Sequence, residues 1–361
     1  MRYASLDILR TLAIFVMVLV HFGENLAGDT IPLAGFGAPL FALLNGVGYR
    51  LWLRGQQRRG TSKEQISKVS IRRGLFVIGV GFAFNLFVWL PEGTYNWDVL
   101  TLIGVALILL NVMRRLPLSI SLLVAGIAVV MSPLLGAMAD YEAYWVNGFY
   151  DPDLILSDVL IGFLVTGYFP FFPWISFPLV GFVAGDYLFG DTADAERPGR
   201  RTAGVGAALL AASLLALAAR PYLPDLITHY VLLGWWMYPA TIVYVGGALG
   251  GALVLLGILH ERVDLAPNAA RHAKALGVAS LFSRYSFTIY IVHHIVHVWP
   301  LWIYAIAMGH EDPTYYWMKA MPLATALALA PVFMVVCYMA LRAIPPGRRI
   351  GVESWMRWLC D

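Results

Sequence analysis

Long apolar runs separated by short polar links organise this chain. A membrane span needs about 20 mostly apolar residues. Runs of that kind, with ragged edges, occupy 8–25, 33–53, 73–90, 98–113, 117–137, 172–190, 202–219, 238–259, 284–306 and 322–343. A further stretch, 154–169, is apolar but short and bounded by proline, so a re-entrant helix, an interfacial helix and an extra span all stay open. The pattern predicts an all-α, polytopic membrane helical bundle of about ten transmembrane helices, a single domain over 1–361. No soluble domain, low-complexity tail or internal repeat interrupts it.

Charge placement orients the bundle. Arg2 and Arg10 precede or open the first span. Arg54, Arg58, Arg59, Lys63, Lys68, Arg72 and Arg73 surround the link after the second, and Arg114 and Arg115 follow the fourth. Arg197, Arg200 and Arg201 follow the sixth. Arg262, Arg271, Lys274 and Arg284 precede the ninth, and Arg348 and Arg349 follow the last. The alternate links are poor in Lys and Arg, and 138–158 carries Asp140, Glu142, Asp151, Asp153 and Asp158. By the positive-inside rule both termini are cytoplasmic and the outer face is acidic.

Composition agrees. Hydrophobic residues make up 60% and charged residues 13%, against about a quarter charged in soluble domains; mean hydropathy is +0.71. Such a surface is hidden only in lipid. Cys337 and Cys360 do not form a disulfide framework. Asp7 and Arg10 break up the n-region of a signal peptide and no small-residue cleavage site follows, so the first helix is expected to be retained.

Ionisable side chains inside a span are costly and mark functional sites. In the first span Arg10 and His21 lie three turns apart on one face, separated by about 16 Å along the axis. Ser5 or Asp7 is positioned to cap the start of this helix. Arg10 falls near the cytoplasmic boundary and His21 just past mid-membrane; a snorkelling Arg and an interfacial His are the plain alternative. The ninth span carries His293, His294 and His297 within five residues. His293 and His297 share a face and His294 points elsewhere; one functional His with two packing ones competes with a fully functional trio. Histidines at i and i+4 also suit a metal, but no carboxylate or Cys ligand accompanies them, so no metal is expected. Arg50, Arg72 and Arg73 sit at the cytoplasmic ends of the second and third spans. They serve either as anchors or, through the bidentate guanidinium, as a phosphate grip. Gly35, Gly37, Pro39, Asn45 and Gly46 at the second span suit close helix packing or a cavity lining.

At these residues the chain resembles a known family. Ser5-Leu6-Asp7-Ile8-Leu9-Arg10 through His21 is similar to the first helix of the transmembrane acyltransferase superfamily, and Arg10 and His21 match the Arg, ten residues, His motif of its acyltransferase-3 branch. Ala38 to Gly46, Gly167 through Phe169-Pro170-Phe171-Phe172-Pro173-Trp174 to Gly181, and Tyr238-Pro239-Ala240-Thr241 to Gly250 resemble the branch of heparan-α-glucosaminide N-acetyltransferase and its bacterial relatives. Tyr290 to His293 resembles the late Tyr-x-x-His helix of both. The chain departs at two points. The lysosomal relatives can carry Asn where His21 stands and a key His just after, whereas here no His follows until His229. The Arg-x-x-Arg motif of acyltransferase-3 is absent, with Arg72-Arg73 a loose substitute.

The resemblance implies an enzyme, an acyl-CoA-dependent O- or N-acyltransferase. Acetyl-CoA or another acyl-CoA enters as co-substrate from the cytoplasm, and the acceptor is a hydroxyl or amine, usually of a glycan, on the outer side. His21 is then the general base, its unperturbed pKa near 6.5 suiting proton removal at neutrality. Arg10, Arg50, Arg72 and Arg73 form the basic set for CoA phosphates, His293 is a proton partner or orienter, and Asp98 orients one His. Lipid and the two substrates are the expected partners, with no nucleic acid, no haem and the oligomeric state open. The setting is a bacterial inner membrane. A transporter is the rival reading, with internal repeats as its signature; a haem-binding electron carrier is the third.

Overall fold

A computed structural model describes residues 2–89, 93–153, 155–190, 197–265, 273–309, 320–345, 348 and 350–361. Arg271 and Arg349 of the expected basic flanks lie outside these residues, as does position 154. The described chain is helical almost throughout. In order come α1 (Ala4–Ala27), α2 (Gly37–Arg58), α3 (Lys63–Val88), α4 (Val99–Met113) and α5 (Leu118–Met138), then α6 (Leu156–Ile161), α7 (Phe171–Trp174), α8 (Ser176–Phe189) and α9 (Pro198–Ala219). The last are α10 (Asp225–Tyr230), α11 (Ile242–Leu259), α12 (Ala273–Arg284), α13 (Ser286–Ala307), α14 (Leu323–Arg342) and α15 (Val352–Cys360). The protein is an all-α polytopic membrane protein.

Among the described residues, eight helical stretches are long and apolar enough to cross a membrane. The ten expected spans each have a helix, but two fall short of that standard. α2 is diluted by Arg50, Arg54 and Arg58, and α4 has 15 residues, about 22 Å of rise. The stretch 154–169 is the first limb of a broken segment, Leu156–Phe189. Here α6 runs into a π-turn at Gly162–Thr166, the chain leaves helical geometry, and α7 and α8 follow after Pro170.

The chain divides into two compact units, Met1–Ala38 with Val263–Leu359, and Pro39–Arg262 with Cys360–Asp361. In the first, α1 packs on α12, α13 and α14. Ile14, Val18, Phe22 and Leu26 recur every fourth residue and meet Phe282, Ile289, Ala326, Ala330 and Phe333. Burying one helical stripe in this way fixes the rotation of α1. Gly28, at φ 73°, ends the helix, its N–H donating to Glu24 O at 3.1 Å. Neither Ser5 nor Asp7 caps the start, contrary to the sequence expectation. Asp7 accepts from Arg2 at 2.6 Å, and the Ser5 N–H donates at 3.0 Å to Asp264 from far along the chain. Glu353 does the same for α13, accepting from the N–H groups of Phe287 (2.7 Å) and Thr288 (3.0 Å). Orphan amides at a helix start need such acceptors.

In the second unit glycines set the helix spacing. A Cβ on Gly46 of α2 would lie 1.9 Å from Pro178 O, and one on Gly181 of α8 2.0 Å from Leu43 O. α9 and α11 meet the same way at Gly206 and Gly250. Close packing is therefore the use of Gly46. The conflicting atoms are backbone, so Gly181→Ala should destabilise by at least the roughly 1–3 kcal/mol of ordinary overpacking. A thermal melt of the detergent-solubilised variant matching the parent's would contradict this contact. A small hairpin, Trp145↔Tyr150 and Val146↔Phe149, closes through Asn147-Gly148, both at positive φ as its tight turn requires.

Candidate active site

The first unit gathers the ninth-span histidines around His21. α1 presents His21 beside the Val18 and Phe22 stripe, and α13 presents His293, His294 and His297, which are 0%, 2% and 5% exposed. His21 Nδ1 lies 2.9 Å from His293 Nε2, and Asn25, one turn beyond His21, places Nδ2 2.8 Å from His297 Nε2. The His21 ring lies 4.4 Å from that of His294, centroid to centroid. The expectation that His294 points away from its neighbours' site is corrected. Consecutive helical positions differ by only about 100°, so a face wide enough to bury 293 and 297 also takes in 294.

Two backbone carbonyls fix the protons. His293 Nδ1 is 3.1 Å from Ile289 O and His297 Nδ1 is 2.5 Å from His293 O. A carbonyl only accepts, so both Nδ1 atoms carry hydrogen. With neutral rings, both Nε2 atoms are then acceptors. His297 Nε2 accepts from the Asn25 amide, and His293 Nε2 accepts from His21 Nδ1–H. The His21 Nε2 lone pair is left without a partner among the described residues. A base whose second nitrogen is held by an orienting group is the recurrent arrangement in proton-abstracting sites. Here the orienter is a neutral imidazole backed by a peptide carbonyl.

His21, His293 and His294 also offer nitrogens within 4.8 Å of one another, close enough to converge on a metal ion. That donor set supplies no negative charge to offset a divalent cation in an apolar bundle. Proton network and metal centre would use the same rings.

The basic residues divide by partner. Arg10 is half-buried and makes no hydrogen bond or ion pair among the described residues, its neighbour Asp7 being taken by Arg2. Arg72 is exposed and likewise unpaired. Arg50 bonds Asp186, which also receives Arg54 at 2.7 Å, and stacks over Phe182 at 5.0 Å. Arg73 pairs with Asp361 at 2.5 Å and lies over Trp52 at 4.9 Å. Arg114 reaches Lys63 O and Ser67 Oγ, both at 2.9 Å, tying α4 to α3. Asp98 caps α4, accepting from the N–H groups of Leu100 (2.8 Å) and Thr101 (3.2 Å).

Sequence reasoning missed Asn25 and Asp186. Asn25 carried a signal, since it follows His21 by four residues on the same face. Asp186 carried only the generic one of an acid in an apolar run.

Residues 2–216, more than half the chain, match the family described as heparan-alpha-glucosaminide N-acetyltransferase, catalytic. Comparison with curated proteins finds no match. The matched region contains α1 with Arg10 and His21 but ends before α13, so the histidine cluster stands on geometry independent of the match. The ordered motifs, the membrane bundle and this match agree: the chain belongs to the heparan-alpha-glucosaminide N-acetyltransferase catalytic family, and it is a membrane-embedded acetyltransferase.

Proposed function

We propose that the chain, acting as one catalytic domain over 1–361, moves an acyl group from cytoplasmic acyl-CoA, in the first instance acetyl-CoA, to a hydroxyl or amine of a glycan on the outer face. The observation that carries the reading is the hydrogen-bond pattern around His21, which leaves Nε2 with a lone pair and holds Nδ1 against His293. The acceptor O–H or N–H gives its proton to His21 Nε2 while the acceptor oxygen or nitrogen bonds the acyl carbon. The thioester C–S bond breaks, and CoA leaves as a thiolate that takes up the proton held on His21, directly or through water, which restores the neutral base. His293 Nε2 keeps accepting from Nδ1–H as the His21 ring gains charge, which steadies the imidazolium. A ternary complex needs fewer steps than an acetyl-His intermediate and is preferred.

Arg10, which forms no ion pair among the described residues, is the leading phosphate ligand, with Arg72 next; Arg50 and Arg73 contribute charge already partly neutralised by Asp186 and Asp361. Asp98, which caps α4, is the residue proposed to orient one His. Both termini lie in the cytoplasm, with the acidic link 138–158 outside, in a bacterial inner membrane.

Transport assays in sealed vesicles test the whole reading. Inverted vesicles given acetyl-labelled CoA externally should pass label to a glycan trapped in the lumen, and right-side-out vesicles should not. Lack of labelling with every hydroxyl- or amine-bearing glycan tried, or labelling only in the right-side-out preparation, would reject it.

A further inference from the structure

The second unit contains a cavity of about 500 Å³ at the C-terminal end of α5. It lies within the roughly 300–1,000 Å³ range of small-molecule sites. Its walls come from the turn after α5, the break before α7 and the link between α10 and α11. Each of those three segments contributes an aromatic side chain to the lining. Tyr141, Tyr168, Trp174, Trp236 and Tyr238 line it. The rings brace one another: Tyr238 stacks on Trp145 at 5.2 Å and meets Tyr168 edge-on at 5.7 Å, while Trp145 also stacks on Tyr141 at 5.6 Å and ties its N–H to Thr166 O at 3.0 Å. Yet Trp236 remains 59% exposed, so its ring is accessible.

Three polar features share the cavity. Asp140 and Glu142 are exposed acids with no ion pair among the described residues. Trp174 lines the wall while fully buried, and its indole N–H has no acceptor there. A buried donor without a partner is costly, and a ligand oxygen would satisfy it. Burial raises the Tyr141 phenol, which keeps it a neutral donor.

We propose that this cavity binds a pyranose ring of a saccharide, the acceptor class of the glycan-transfer reading above, on which this step rests. The C–H faces of a pyranose are weakly positive and pack on the negative face of an aromatic ring. Its edges carry vicinal hydroxyls, which two acceptor-only carboxylates and an indole donor match in type. An aliphatic acyl chain would leave those carboxylates unused. A phosphate or other anion would meet their repulsion.

Binding can be read without chemistry, by tryptophan fluorescence of the full chain in detergent with no acyl-CoA present. The probes are the β-1,4-linked disaccharides of glucose, glucosamine and N-acetylglucosamine, with sorbitol as a polyol lacking a ring face. At least one disaccharide should bind saturably and more tightly than sorbitol. Trp236→Ala should weaken it by about tenfold or more, as for a buried aromatic anchor, and Asp140→Asn with Glu142→Gln should weaken it as well. The two acids are exposed, so their double variant remains informative if Trp236→Ala fails to fold. Binding that survives in a chain showing no acyl transfer would sink the glycan-transfer reading alone. No saturable binding of any disaccharide, equal affinity for sorbitol, or unchanged affinity in the double acid variant would overturn the cavity assignment.

Discussion

His21→Ala should lose nearly all acyl transfer while still binding CoA. A positioned general base contributes about 10²–10⁴-fold in rate, and His21 is the member of the cluster whose Nε2 is left for substrate by the hydrogen bonds around it. The donor's phosphates are assigned to Arg10, three turns away along α1, so the two functions separate along one helix. Alanine also opens a gap in a packed cluster; His21→Gln, close in size and able to hydrogen-bond His293, controls for that. Both variants should show kcat reduced by two orders of magnitude or more, with CoA affinity near the parent's. Incubation with labelled acetyl-CoA and no acceptor should leave no label on the protein if the ternary complex is right, and label on His21 if an acetyl-His forms. Near-parental transfer by a folded His21→Ala would remove the base from the mechanism and leave the family membership standing.

Local regularities carried a good part of this into the sequence. Run length and residue charge were enough for a helical membrane bundle, because both respond to the solvent and not to tertiary contacts. The 3.6-residue helical period in α1 and α13 placed Arg10 with His21, three turns on, and His293 with His297, one turn on. The same rule, applied to polar residues other than His and Arg, would have reached Asn25. What was illegible depends on segments distant in sequence. Asp264 reaches Ser5 across 259 positions, and Asp186 reaches Arg50 across 136. Nothing near Ser5 or Arg50 encodes those partners, so local capping rules favour Ser5 and Asp7, and Arg50 reads only as an anchor or a phosphate grip. Residue 294 shows the other limit: periodicity gives direction on a helix but not the width of the face its neighbours bury.

Arg10→Ala should weaken CoA binding by about 10- to 150-fold, the equivalent of losing a charge-assisted hydrogen bond of roughly 1.5–3 kcal/mol. A guanidinium held in an apolar helix is costly unless it meets an anion. The nearest acid in sequence, Asp7, is occupied by Arg2 at 2.6 Å, and no other described residue bonds Arg10. The lost partner is therefore expected to be a ligand. Arg10→Lys should recover only part of the affinity, because an ammonium cannot grip two phosphate oxygens in the planar fork that Arg uses. Dephospho-CoA then locates the contact. If Arg10 holds the 3′-phosphate, the variant and the parent should bind dephospho-CoA alike. If it holds the pyrophosphate, the penalty should persist with both ligands. The stability of apo Arg10→Ala should stay close to the parent's, since the substitution removes a half-buried guanidinium that makes no hydrogen bond or ion pair among the described residues. CoA affinity unchanged in Arg10→Ala, with the variant folded, would move the donor site away from the first helix.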